Sequence, residues 1–212
     1  MARAQDGRAR TSAPRVTRLP KGQRREQLMA AAREEFVSVG YHAAAMDNIA
    51  ARAGVTKPVV YQHFASKRDL YLAILDEGSR LFLQQIKEAL QSTNDNRQRV
   101  HATIRAYFHF VAHDDADYRL LFESDLANLP EVARRTHRVA DQGAQMVADV
   151  IAEDTGLAAD KALLLANGLL GMAQVSAQTW LRTGKRIPAD DAAALLAALA
   201  WQGISEFPLT GH

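Results

Sequence analysis

The chain has 212 residues, 48% apolar and 24% charged, ordinary proportions for a globular protein with a sizeable core. It has no cysteine, which excludes disulfides, zinc–thiolate sites and thiol catalysis and fits a reducing cytoplasm. The net charge of +2 is unevenly spread: residues 1–68 carry 13 Lys/Arg against 5 Asp/Glu (net +8), and residues 69–212 carry 13 against 19 (net −6). A basic first third on an acidic body points to a polyanionic partner for that third.

Residues 1–21 read as a disordered basic arm, with Arg3, Arg8, Arg10, Arg15 and Arg18 and no apolar periodicity. They also lack the apolar run of a secretory signal. The arm suits a phosphate track or a minor groove, and equally a solvated tail.

A first helix is expected over 23–39, with Leu28, Ala31, Ala32, Phe36 and Val39 on one 3.6-period stripe and Gly40 ending it. A short helix over 46–53 follows, with Ile49 and Ala50 inward. After Gly54 comes another over 56–64, with Thr56 at its N-cap position, Pro58 in its first turn, and Val60 and Phe64 inward. Ser66-Lys67-Arg68-Asp69 is a capping box opening a fourth helix that runs to about residue 90. Further helices are expected over 96–112, 118–126, 130–154, 158–183 and from 188 onward, with no strand of useful length. The uncharged stretch Ala162–Leu181 is long enough for a membrane span. Its Asn167, Gln174, Ser176, Gln178 and Thr179 favour burial within protein instead.

The run from Gly40 to Leu70 carries the function. Two short helices joined at a glycine form a helix-turn-helix, whose second helix enters the major groove. With Val60 and Phe64 used for packing, Thr56, Lys57, Pro58, Val59, Tyr61, Gln62 and His63 are left outside. Lys57 suits a guanine edge or a phosphate, Gln62 an adenine, and Pro58 and Val59 a thymine methyl. Tyr61 and His63 suit phosphates, as does Lys67 at a helix N-terminus.

This run resembles the DNA-binding domain of TetR-family regulators. The family pattern is matched by Gly40-Tyr41, by Ile49-Ala50 with Ala53-Gly54-Val55, by Tyr61 with His63-Phe64, and by Ser66-Lys67 with Leu70. The resemblance implies an all-α chain. A three-helix helix-turn-helix domain (22–68) would precede a helical ligand-binding and dimerisation domain (69–212), paired as a homodimer through the last two long helices on double-stranded operator DNA. One departure stands out: Ala44 and Ala45 occupy the place where members often carry a Thr or Ser that caps the second helix and bonds a phosphate.

In the second domain, Phe82, Ile86, Tyr107, Phe108, Val111, Phe122, Met146, Val150, Met172 and Val175 are apolar residues spread over several helices. They suit a tunnel for an apolar, lipid-like effector, and serve equally well as plain core. The segments 40–64, 95–99, 118–125 and 168–172 resemble the actinobacterial branch of the family that activates fatty-acid synthesis genes, which implies a long-chain acyl-CoA effector that weakens DNA binding. Two alternatives stand beside it: a repressor of efflux or catabolic genes answering another apolar molecule, and an architectural protein binding DNA without sequence preference. No nucleophile elbow or HExxH motif is present, so no enzyme, metal or cofactor is expected.

Overall fold

A computed structural model describes residues 19–113, 118–120, 126 and 128–202. Among the described residues every regular element is helical. These are α1 (Lys21–Ala43), α2 (Met46–Arg52), α3 (Lys57–His63), α4 (Lys67–Gln91), α5 (Asn96–His113), α6 (Pro130–Thr155), α7 (Ala159–Arg182) and α8 (Ala189–Gln202). The expected basic arm lies outside the described residues apart from its last three. Of the helix expected over 118–126, residues 118–120 are helical and most of the rest lies outside the description.

The local signals act where the sequence places them. Gly40 interrupts α1 at φ +76°, and Gly54 makes the turn between α2 and α3 at φ +63°, backbone that a side chain would strain. The Ser66 hydroxyl accepts from the Asp69 N–H at 3.1 Å and donates to its carboxylate at 2.8 Å, closing the first turn of α4. Leu28, Ala31, Ala32 and Phe36 are buried as the stripe requires, whereas Val39, next to the break at Gly40, is 48% exposed.

α1 packs on α2 and α4, and α2 on α3. Leu28, Ile49, Val60 and Leu70 are fully buried where these helices meet. Beyond this head, α4 continues between α5 and α6, α6 packs along α7, and α5 packs along α8. Tyr71 joins the two parts. Its ring lies 5.3 Å from Phe36 and 5.2 Å from Tyr41, and its hydroxyl donates to the Leu120 carbonyl at 3.3 Å.

An acid holds α2 to α1. Glu35 is the one buried charged side chain among the described residues. Its carboxylate accepts from the Asn48 amide at 2.9 Å and from the Arg52 guanidinium at 3.2 Å. A bond from the Ala45 backbone N–H adds to these, so the acid reaches the uncapped start of α2. The Asn48 bond first, then Arg52 and Ala45, hold its pKa below the usual carboxylate value against the opposing effect of burial.

Because the folded pKa is lowered, Glu35 contributes stability in full above its unfolded pKa of about 4.3, and this is lost as pH falls through the folded value. Glu35→Gln should therefore flatten the acid limb of the stability–pH curve. Glu35→Ala should lower stability at neutral pH by about 1–3 kcal/mol in a urea titration, by leaving Asn48 and the Ala45 N–H without their acceptor.

Candidate nucleic-acid interface and ligand cavity

α3 is pinned by the residues expected to pin it: Val60 is fully buried and Phe64 nearly so. Thr56, Lys57, Pro58, Tyr61 and Gln62 are exposed, while Val59 and His63 are half-buried. Thr56 occupies the N-cap without using its hydroxyl as a cap. Lys57 pairs with Asp47 of α2 at 2.9 Å, which raises its pKa and keeps its ammonium beside the α2 end of the face.

Lys67 was expected at a phosphate, and its surroundings give it another task. Its ammonium donates to the carbonyls of Tyr41 and Ala44 at 2.7 Å each and of His42 at 3.2 Å, and sits 4.6 Å above the Tyr41 ring. Three donors meet three acceptors. The residue ties the start of α4 to the segment between α1 and α2, where Ala44 and Ala45 supply no hydroxyl.

A group of cations at the start of α1 was missed by the sequence reading. Arg25 stacks at 4.3 Å over the Phe64 ring and donates to the His63 carbonyl at 3.4 Å. Burial first, then the charges of Lys21, Arg25 and Arg24, push the His63 pKa below its usual value. The only signal available was three basic residues close together, Lys21, Arg24 and Arg25, of which the reading placed Lys21 in the arm and gave the two arginines no role.

Beyond the helix-turn-helix, a cavity of about 740 Å³ is bounded by α4, α5, α6, α7 and α8. This is within the range of small-molecule sites, roughly 300–1,000 Å³. Of the ten residues suggested by sequence, Ile86, Tyr107, Val150 and Met172 line it. Phe82 instead packs in an aromatic cluster with Tyr107 (5.5 Å) and Phe110 (5.0 Å), and Val111 is fully buried core. Phe108 packs on Trp180 at 5.7 Å, Met146 lies against the core, and Val175 is 62% exposed. Phe122 lies outside the described residues. The sequence reading missed Arg99, Val100, Ile104, Leu169 and Trp201, which also line the cavity.

Leu164, Leu165, Val175, Ile187, Leu195 and Trp201 are large apolar residues left 42–73% exposed on and between α7 and α8. A Cβ added at Gly168 or Gly171 would meet nothing within 4 Å, so this part of α7 is open to close approach. The uncharged stretch is therefore covered on one side only. No helix of the described residues is long and apolar enough to cross a membrane.

With this architecture in view, comparison with known proteins settles the class. Residues 28–74 match the family described as "Bacterial regulatory proteins, tetR family". The chain is 45% identical over 196 residues to the HTH-type transcriptional activator FasR of Mycolicibacterium smegmatis, covering 92% of this chain and 90% of that one. It belongs to the TetR family of DNA-binding transcriptional regulators, and is not an enzyme. A TetR-like regulator from Rhodococcus sp. RHA1 has the same fold at 26% identity, with a TM-score of 0.71 over 90% of this chain and 100% of that one. So does FadR from Bacillus subtilis, solved with stearoyl-CoA, at 20% identity and a TM-score of 0.72 over 84% and 98% of the two chains.

Lys67→Met should lower stability by about 1–3 kcal/mol, seen as an earlier denaturation midpoint. The slope of log DNA affinity against log salt should stay unchanged, since the ammonium faces carbonyls. A slope shallower by about one would place it on a phosphate.

Proposed function

We propose that the protein is a homodimeric regulator of fatty-acid or lipid synthesis genes whose hold on its operator is weakened by long-chain acyl-CoA. The observation that carries the reading is the pairing, in one chain, of an exposed α3 face with an apolar cavity reached by the same helix, α4. Thr56, Lys57, Pro58, Val59, Tyr61, Gln62 and His63 are assigned to the DNA. Lys57 and Gln62 read base edges, and the remainder contact phosphates and thymine methyls. Lys21, Arg24 and Arg25 add phosphate contacts at the His63 end.

The exposed apolar residues and open glycines of α7 and α8 support dimerisation, because large apolar side chains left open to water favour burial against a second copy. A dimer then presents two copies of α3 at a spacing suited to half-sites about 34–36 Å apart or a multiple of that. The gene class comes from the likeness to FasR and from the resemblance carried by segments 40–64, 95–99, 118–125 and 168–172. The B. subtilis FadR structure demonstrates for that protein that this fold accommodates an acyl-CoA.

The test is a gel shift at fixed salt on promoter DNA of fatty-acid synthesis genes, against random DNA of equal length. Retardation of the promoter alone, relieved by long-chain but not short-chain acyl-CoA, is the expected result. Equal retardation of random DNA would indicate an architectural binder. Specific retardation indifferent to every acyl-CoA would discard the lipid assignment and leave the regulator.

A further inference from the structure

The cavity wall is apolar except at one end, where α5 begins and α6 finishes. Asn96, Arg99 and Thr103 of α5 gather there with Asp154 and Thr155 of α6. Arg99 is mostly buried, its side chain 14% exposed, and its Nη1 donates to Asp154 Oδ2 at 2.6 Å and to Asn96 Oδ1 at 2.7 Å. Its Nε donates to the Thr93 carbonyl at 3.3 Å. No acceptor among the described residues meets its Nη2.

Asp154 is out of place by local rules. It lies in the last turn of α6, at the negative end of the helix dipole, where an acid is disfavoured and where no basic residue of the same turn offsets it. Nothing in the helix calls for a carboxylate there; only Arg99, 55 positions earlier in the chain, compensates it. Glu153 shares this turn, but of the two acids only Asp154 lines the cavity and pairs with Arg99. The guanidinium of Arg99 is half-buried, and an anion beside it, from the protein or from a ligand, makes a charge-assisted pair there.

We propose that Arg99 is the cavity's anion reader and that Asp154 occupies it in the ligand-free chain, standing where the anionic group of an amphipathic ligand will bind. The inference rests on the cavity being the effector site and deepens that reading: the ligand joins a long apolar body to a carboxylate or phosphate. Its anion takes the fork of Arg99, including the idle Nη2, and Asp154, already 27% exposed, turns to water. Because one ion pair replaces another, the exchange costs little. A neutral ligand leaves the Arg99–Asp154 pair closed and gains only apolar contact. The pair thus selects for charge, while the apolar wall selects for chain.

The experiment is calorimetric titration of the full chain with palmitoyl-CoA, palmitate and hexadecanol, in wild type, Arg99→Gln, Arg99→Lys and Asp154→Asn. Wild type should favour the two anions over the alcohol. Arg99→Gln should lose about tenfold for the anions and leave hexadecanol unchanged, with partial recovery in Arg99→Lys. Asp154→Asn, which removes the resident competitor, should bind the anions several-fold more tightly. The ratio of palmitoyl-CoA to palmitate affinity in wild type tells whether a phosphate or a carboxylate is preferred. Equal losses for all three ligands in Arg99→Gln, or no loss at all, would overturn the anion reader. Binding of none of them to wild type would overturn the effector cavity itself. A circular-dichroism melt of each variant separates misfolding from lost recognition, and Asp154→Asn tests the proposal by a gain, which misfolding does not produce.

Discussion

Helix α4 runs through one continuous core, from the helix-turn-helix end to the cavity, and its first turn is fixed to the DNA-binding head by Lys67, whose ammonium takes the carbonyls of Tyr41, His42 and Ala44. The helix has 25 residues, roughly 37 Å at 1.5 Å per residue, and it ends beside the cavity with Ile86 and Leu90. Between these ends, Asp76 accepts from Arg135 at 2.9 Å, and Arg68 pairs with Glu131. These two pairs tie α6 to α4 along its length, and in the proposed mechanism a shift of α6 would act on the DNA-binding end through them. The glycine breaks at Gly40 and Gly54 set the path of the chain, while Glu35 ties α2 to α1 and Lys67 ties α4 to the segment between them.

Most of the helix order was legible because its signals are local: the capping box at Ser66–Asp69, Pro58 in the first turn of α3, and the apolar period of α1. The exposed face of α3 was legible by subtraction, once Val60 and Phe64 were assigned to packing. What was not legible depends on residues far apart in sequence. Glu35 reads as one more polar residue until Asn48 and Arg52 are folded over it. Lys67 stands at a helix N-terminus, where a phosphate is the ordinary guess, and only the fold brings three carbonyls to it. Apolar period identifies an inward side chain without telling a filled interior from a hollow one, which is why Phe82 and Val111 were grouped with Ile86 and Met172. Val175 errs the other way: its helix is apolar on more than one face, and the single chain covers only one.

In the proposed mechanism the two functional parts are linked by free energy rather than by contact. An effector changes operator affinity only to the extent that it binds one arrangement of α4 and α6 better than the other. Couplings of this kind amount to about 1–3 kcal/mol, a factor of about 5–150, and they are reciprocal by thermodynamic necessity. A cavity lying next to α4, α5 and α6 together is well placed to bias such an equilibrium, because ligand volume there bears on the packing that holds α6 to α4.

Reciprocity gives the most direct test. The affinity of the full chain for a long-chain acyl-CoA is measured by calorimetry, first alone and then with saturating operator DNA. The account predicts that operator weakens acyl-CoA binding by the same factor by which acyl-CoA weakens operator binding. An acyl-CoA affinity unchanged by saturating operator would contradict it.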